Sequence, residues 1–145
     1  MKQPVLTAEE LGVKREKLSI DFIAGLIVGE GYFYWTKDSG GRNKPGFGIR
    51  MHIRDFDLLM NVRDSLYLDE RVYEYTHNNR HYAMLLIRDV ADLKNKIIPT
   101  IGPKLTGYKR EQFIKWFRQF KAPDTHPGYQ FIGNIFKQSL PWLYN

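Results

Sequence analysis

The sequence has no cysteine among its 145 residues. That excludes a disulfide scaffold and leaves any zinc site to histidine and carboxylates alone. Long apolar runs are missing as well. The longest near the N-terminus, residues 22–28, falls far short of the roughly 20 residues needed to cross a bilayer. It follows the charged stretch VKREKLSID without the layout of a secretory leader. The expectation is a soluble, intracellular protein with no membrane partner, in the cytoplasm, the nucleoid or an organelle matrix. Acidic charge is in short supply: 16 Asp and Glu face 22 Lys and Arg, a net +6. Such an excess favours a polyanionic partner, nucleic acid ahead of a membrane surface. The hydrophobic 43% and aromatic 14% suffice for a single domain with a real core.

Periodicity gives the order of elements. A capping-box spacing, Thr7 to Glu10, starts a short N-terminal helix, and a stronger helix covers residues 18–30. GYFYWTK then alternates, with Phe33 and Trp35 on one face and Tyr32, Tyr34 and Thr36 on the other. DSGGRNKPG is a loop by composition. FGIRMHIR alternates again: Phe47, Ile49, Met51 and Ile53 oppose Gly48, Arg50, His52 and Arg54, a hairpin with one apolar and one basic face. Residues 55–67 form a helix with Leu58, Leu59, Val62 and Leu66 as its stripe. A second hairpin, RVYEYT and HYAMLLI, turns at Asn78 and Asn79. DVADLKNKII is helical and ends before Pro99. YKREQFIKWFRQF is amphipathic through Phe113, Trp116, Phe117 and Phe120, and a last helix covers residues 129–140. The pattern is buried best by an α+β layer fold, an antiparallel sheet with its helices on one face and the other face basic and open. The parts are an N-terminal extension (1–17), a core domain (18–121) and a C-terminal extension (122–145).

The first strong helix is unusual. Gly25 and Gly29 are four apart and share a face with Phe22. Each glycine costs about 1 kcal/mol relative to alanine, so a second backbone comes close there, either another copy of the chain or the protein's own strand. Gly31 suits a helix-terminating glycine, which leaves Glu30 in the last turn, at the negative end of the helix dipole. A divalent cation would resolve that conflict, since hard cations choose oxygen ligands; plain solvation of the carboxylate is the alternative. His77 and His81 are also four apart, but they straddle a turn and so do not make a zinc pair.

IAGLIVGEGYF, residues 23–33, resembles the signature of the LAGLIDADG homing endonucleases. Ala24, Gly25, Leu26, Ile27 and Gly31 stand as in the motif, Ile23 is conservative, and Gly29 replaces alanine. Glu30 falls on the penultimate, metal-binding acid, as glutamate instead of aspartate; Val28 departs from the first acid. The αββαββα order over residues 18–120 is similar to the family's throughout. One motif copy instead of two implies a homodimer whose interface runs through Phe22, Gly25 and Gly29.

The resemblance implies a site-specific double-strand DNA endonuclease of the homing type, acting by divalent-metal-dependent phosphodiester hydrolysis on a long pseudo-palindromic site. Glu30, helped by the Gly29 carbonyl, would hold Mg²⁺, with Mn²⁺ or Ca²⁺ able to substitute in binding. Lys109 occupies the place of a pocket lysine near the scissile phosphate, unless it is simply a surface lysine. A second, often polar, pocket position falls on Ile53. Double-stranded DNA would lie on the open sheet face, read by Tyr32, Tyr34, Thr36, Arg50, His52 and Arg54 on the first hairpin and by Glu74 and Thr76 on the second. Arg42 and Lys44 would reach out from the loop. The competing expectations are a catalytically inactive nucleic-acid binder of the same fold, a maturase on intron RNA or a DNA-binding regulator, and an unrelated basic dimerisation module.

Overall fold

Ser19 starts the first helix, α1 (Ile20–Glu30): its side-chain oxygen accepts a hydrogen bond from the Phe22 amide at 3.1 Å. This satisfies one of the donors that a helix start leaves without a partner. The computed structural model describes Gly12 and residues 16–145, so the Thr7–Glu10 capping box lies outside the described residues. Within α1, Ile23, Ala24 and Ile27 are buried.

The helix passes straight into strand β1 (Gly31–Lys37) with no linker. The glycine at this junction is needed for a different reason from the one expected. Gly31 has φ −83° and ψ 159°, an extended conformation open to any residue, so it is no left-handed cap. A Cβ here would instead sit 2.7 Å from Ile27 Cγ2 and 2.9 Å from the Ile27 carbonyl oxygen. The requirement is close approach of chain to chain. Gly31→Ala is therefore expected to destabilise the fold by about 1–3 kcal/mol, read as a lowered thermal midpoint; an unchanged midpoint would refute the contact.

Four strands form one antiparallel sheet in the order β1-β2-β4-β3, with β2 at Asn43–His52, β3 at Val72–His77 and β4 at Arg80–Ile87. Asn78 and Asn79 both take positive φ, 51° and 63°, as the two-residue turn between β3 and β4 demands. The register pairs Phe33 with Phe47, Phe47 with Ile87, and Val72 with Leu85. Since side chains alternate along a strand, these residues define the inner face. The helices α1, α2 (Phe56–Ser65) and α4 (Gly107–Arg118) pack against the sheet. Aromatic rings fill the space between them: Phe33 lies 5.0–5.2 Å from Phe47, Phe113 and Trp116, and Trp35 lies 5.0 Å from Phe120. The α+β architecture and the αββαββα order are those expected.

Three helical expectations change. Leu59, Val62 and Leu66 are buried on α2, but so are Met60, Asn61, Arg63 and Ser65, while Leu58 is only half-buried. The second side of α2 is covered by the segment leading into α1, whose Glu16 and Leu18 amides donate to Asn61 Oδ1 and Ser65 Oγ at 3.1 and 2.9 Å. The helix expected to stop before Pro99 runs on instead. A short α3 (Val90–Asp92) continues as a wider π-type helix over Leu93–Ile101 that contains Pro99, with Ile97, Ile98 and Ile101 held in the core. The single helix expected over residues 129–140 is replaced by a short α5 (Pro127–Gln130) and 3-10 turns at Phe131–Asn134 and Pro141–Tyr144.

Candidate functional site

One face of α1 has no partner among the described residues. Phe22 is 49% exposed, Gly25 and Gly29 are exposed, and a Cβ built on either glycine would meet nothing within 4 Å. The sheet touches the opposite side of the helix, where Ile23, Ala24 and Ile27 are buried. Packing of the glycines against the chain's own strand is thereby excluded.

Glu30 ends that face. Its residue is exposed, and the last turn of α1 holds no basic residue. A cation reaches the helix end from elsewhere: Lys109, in the first turn of α4, donates from Nζ to the carbonyl of Gly31. An ammonium at the C-terminal end of α1 is favourable against the helix dipole, and it brings Lys109 beside the residue that follows Glu30. Gly29 is placed by position among the last carbonyls of α1, which have no intrahelical donor. Ile53 lies just beyond β2, opening a 3-10 turn (Ile53–Asp55), and packs on the core.

The outer face of the sheet carries the rest. Tyr32 pairs with Gly48 and Tyr34 with Gly46, and the phenol end of each ring lies over its glycine: a Cβ would come within 2.5 Å of Tyr32 Cζ at position 48, and within 2.2 Å of Tyr34 Cζ at position 46. The hydroxyls cross β2 to the neighbourhood of β4. Tyr32 Oη donates to Met84 Sδ at 3.2 Å, and Tyr34 Oη accepts from Arg88 Nε at 2.9 Å. Arg50 stands 5.0 Å over the Tyr82 ring, which stacks on Tyr75 at 5.3 Å. The Tyr75 hydroxyl beside Arg50 raises the guanidinium pKa further, and the Tyr34 hydroxyl does the same for Arg88. Burial, then the neighbouring Tyr34 and Tyr75, raise the Tyr32 hydroxyl, which stays neutral at physiological pH. The four strands contain one acid, Glu74, and it is not on this face.

No protein-family model and no curated protein matches the sequence. Solved structures do match in shape. The crystal structure of the LAGLIDADG homing endonuclease I-GzeII in complex with its DNA target is similar at a TM-score of 0.64 and 23% identity, over 82% of this chain and 43% of that one. The homing endonuclease I-TnaI is similar at 0.58 and 28% identity, over 71% of each chain. I-CpaMI, bound to uncleaved DNA, gives 0.61 and 18%, over 81% and 43%. The chain has the LAGLIDADG homing-endonuclease fold. It spans less than half the length of I-GzeII and I-CpaMI.

Within that homing-endonuclease fold, several residues lie elsewhere than expected. Glu74 and Thr76 do not reach the open face, because β3 runs one residue out of the expected phase. Val72 is buried opposite Leu85, and Glu74 and Thr76 pair with Ala83 and His81 on the helix side. Glu74 there accepts from His81 Nε2 at 2.8 Å. Tyr73, Tyr75 and His77 take the open face. Arg54 follows the strand in the 3-10 turn, where its amide donates to His52 Nδ1 at 3.1 Å. Lys44 is not on a loop but in β2, opposite Thr36. Arg42 does lie on the loop, with its Nη1 donating to the Pro123 carbonyl at 2.9 Å. The sequence reading missed Tyr73, Tyr75, Tyr82 and Arg88. For the first two a signal existed: once Val72 is taken as inward, alternation turns both tyrosines outward.

Among the described residues no group of three His, Cys, Asp or Glu side chains is close enough to hold an ion. No zinc cage is built among the described residues. A single exposed carboxylate with carbonyls beside it fits a hard divalent cation, which takes one or two carboxylates and completes its shell with water and phosphate oxygens.

Proposed function

We propose that this protein is a site-specific double-strand DNA endonuclease that works as a homodimer with a divalent metal, Mg²⁺ first, on an approximately palindromic target. One observation carries the reading: the uncovered glycine face of α1 leads directly into Glu30, with Lys109 at the same helix end. Two copies related by a two-fold axis satisfy that face with itself, and glycine lets the two backbones approach closely. The two Glu30 carboxylates then converge near the axis, one for each DNA strand.

Bound there, the metal supplies Lewis-acid stabilisation at the phosphate and lowers the pKa of its water. The chain's own residues do the rest. Glu30, with the Gly29 carbonyl, would hold the cation. Lys109, tethered at the Gly31 carbonyl, places a positive charge where the phosphorus centre gains negative charge. The acid-free outer face of the sheet takes the major groove, where base edges can be told apart. Glutamate is one methylene longer than aspartate, so its carboxylate reaches further from the helix end.

A plasmid library incubated with the full chain and Mg²⁺ tests the reading. Discrete double-strand breaks at one long, roughly palindromic sequence are expected, and none with EDTA. Tight duplex binding with no breaks would instead support an inactive DNA-binding regulator, and preference for a structured RNA would support a maturase.

A further inference from the structure

The register puts Arg50, Arg80 and Arg88 on the outer face of the sheet, and tyrosine holds the first and the last of them. The hold on Arg88 is the more complete. Arg88 follows the last residue of β4, and the Tyr129 hydroxyl donates to its backbone carbonyl at 2.9 Å. Its Nε donates to Tyr34 Oη at 2.9 Å, and its guanidinium carbon lies 5.8 Å from the Tyr34 ring centroid. Tyr34 belongs to β1, so it reaches Arg88 only by lying across β2, over Gly46, where a side chain would collide with it. Gly46 thus sets the path of the tyrosine, and the tyrosine sets the guanidinium. The terminal nitrogens of Arg88 have no protein acceptor among the described residues, and the residue is exposed.

Anchoring through Nε leaves the planar pair of terminal amino groups facing solvent at fixed orientation. That fork matches the O6 and N7 acceptors of guanine in the major groove. A phosphate would be served equally well by an unrestrained arginine, so the restraint favours base reading. Arg50 is supported in another way, its guanidinium 5.0 Å over the Tyr82 ring of the Tyr75–Tyr82 stack. The register continues from the Phe47–Ile87 pair to set Arg88 opposite Gly46, four residues from Arg50 along β2. At about 3.3 Å per residue this is about 13 Å, or about four base steps at about 3.4 Å each.

We infer that Arg88 is a specificity-determining residue that reads a guanine, aimed by Tyr34 across Gly46, and that Arg50 reads a second guanine about four base pairs away in the same half-site. The inference rests on the proposed DNA-binding role and names what that face selects.

The test is selection of bound duplexes from a random library by the full chain without metal. The unaltered protein should enrich two guanines per half-site at that spacing. Arg88→Lys keeps the charge but loses the fork, and is expected to cut the guanine preference at one position by roughly 5- to 150-fold while sparing the other. Tyr34→Phe and Gly46→Ala should weaken the same position and leave Arg50's guanine untouched, with the slope of affinity against salt unchanged. If Arg88→Ala instead weakens all duplexes alike and flattens the salt slope by about one contact, Arg88 binds phosphate and the inference is wrong. A preference at that position unmoved by Tyr34→Phe would equally overturn the aiming role. Failure of the unaltered protein to bind any duplex would overturn the proposed function itself, and this inference with it.

Discussion

Glu30→Gln is expected to lower the single-turnover cleavage rate by about a thousandfold, the equivalent of roughly 4 kcal/mol of barrier. Glutamine keeps the length and shape of the side chain and loses only its charge, so the change isolates cation binding from packing. Glu30 is exposed, and the substitution leaves the fold as it is. Affinity for the duplex in EDTA should hold or rise, because a negative charge facing phosphates has been removed. Cleavage by the variant at more than about a tenth of the original rate would take Glu30 out of the reaction. Lys109 would then need another explanation for being held at the end of α1.

Gly25→Leu should convert a dimer into a folded monomer. Among the described residues nothing lies within 4 Å of a Cβ built at position 25, and leucine favours a helix by nearly 1 kcal/mol over glycine. The thermal midpoint of the isolated chain is therefore not expected to fall through strain, while two bulky side chains can no longer fit between paired backbones. Analytical ultracentrifugation should show the mass halved and cleavage lost with it. Persistence of the dimer in that variant would move the interface away from α1, and a monomeric unaltered protein would leave the glycine face without the proposed role.

How far the sequence speaks can be followed residue by residue. The alternation in GYFYWTK and FGIRMHIR assigns Phe33, Phe47 and Ile49 to the core and Tyr32, Tyr34 and Arg50 to the other face, and the fold agrees. YKREQFIKWFRQF yields Phe113, Trp116, Phe117 and Phe120 as buried residues, because its 3.6-residue apolar period gathers them on the one side that packs on the sheet. Pro99 misleads, since a proline is tolerated where a wider helical turn is held by a buried apolar side. On β3 the alternation Val72, Tyr73, Glu74, Tyr75 is legible, but its phase is set by the burial of Val72 opposite Leu85, which turns Glu74 and Thr76 away from the open face. Gly31 was correctly singled out for the wrong cause, since its φ and its contact with Ile27 exist only once the helix meets the strand.

The sequence by itself determined the order of elements, the faces of the first hairpin and the coincidence of a glycine stripe with an acid, because periodicity and backbone preference are local properties of the chain. Only the tertiary structure decided that the glycine face is free of the protein's own strands and that Lys109 meets the end of α1. It alone placed Tyr34 across Gly46 to Arg88. Each of those facts joins residues far apart along the chain, and which distant groups meet is fixed by the packing of sheet against helices, not by any spacing within a segment.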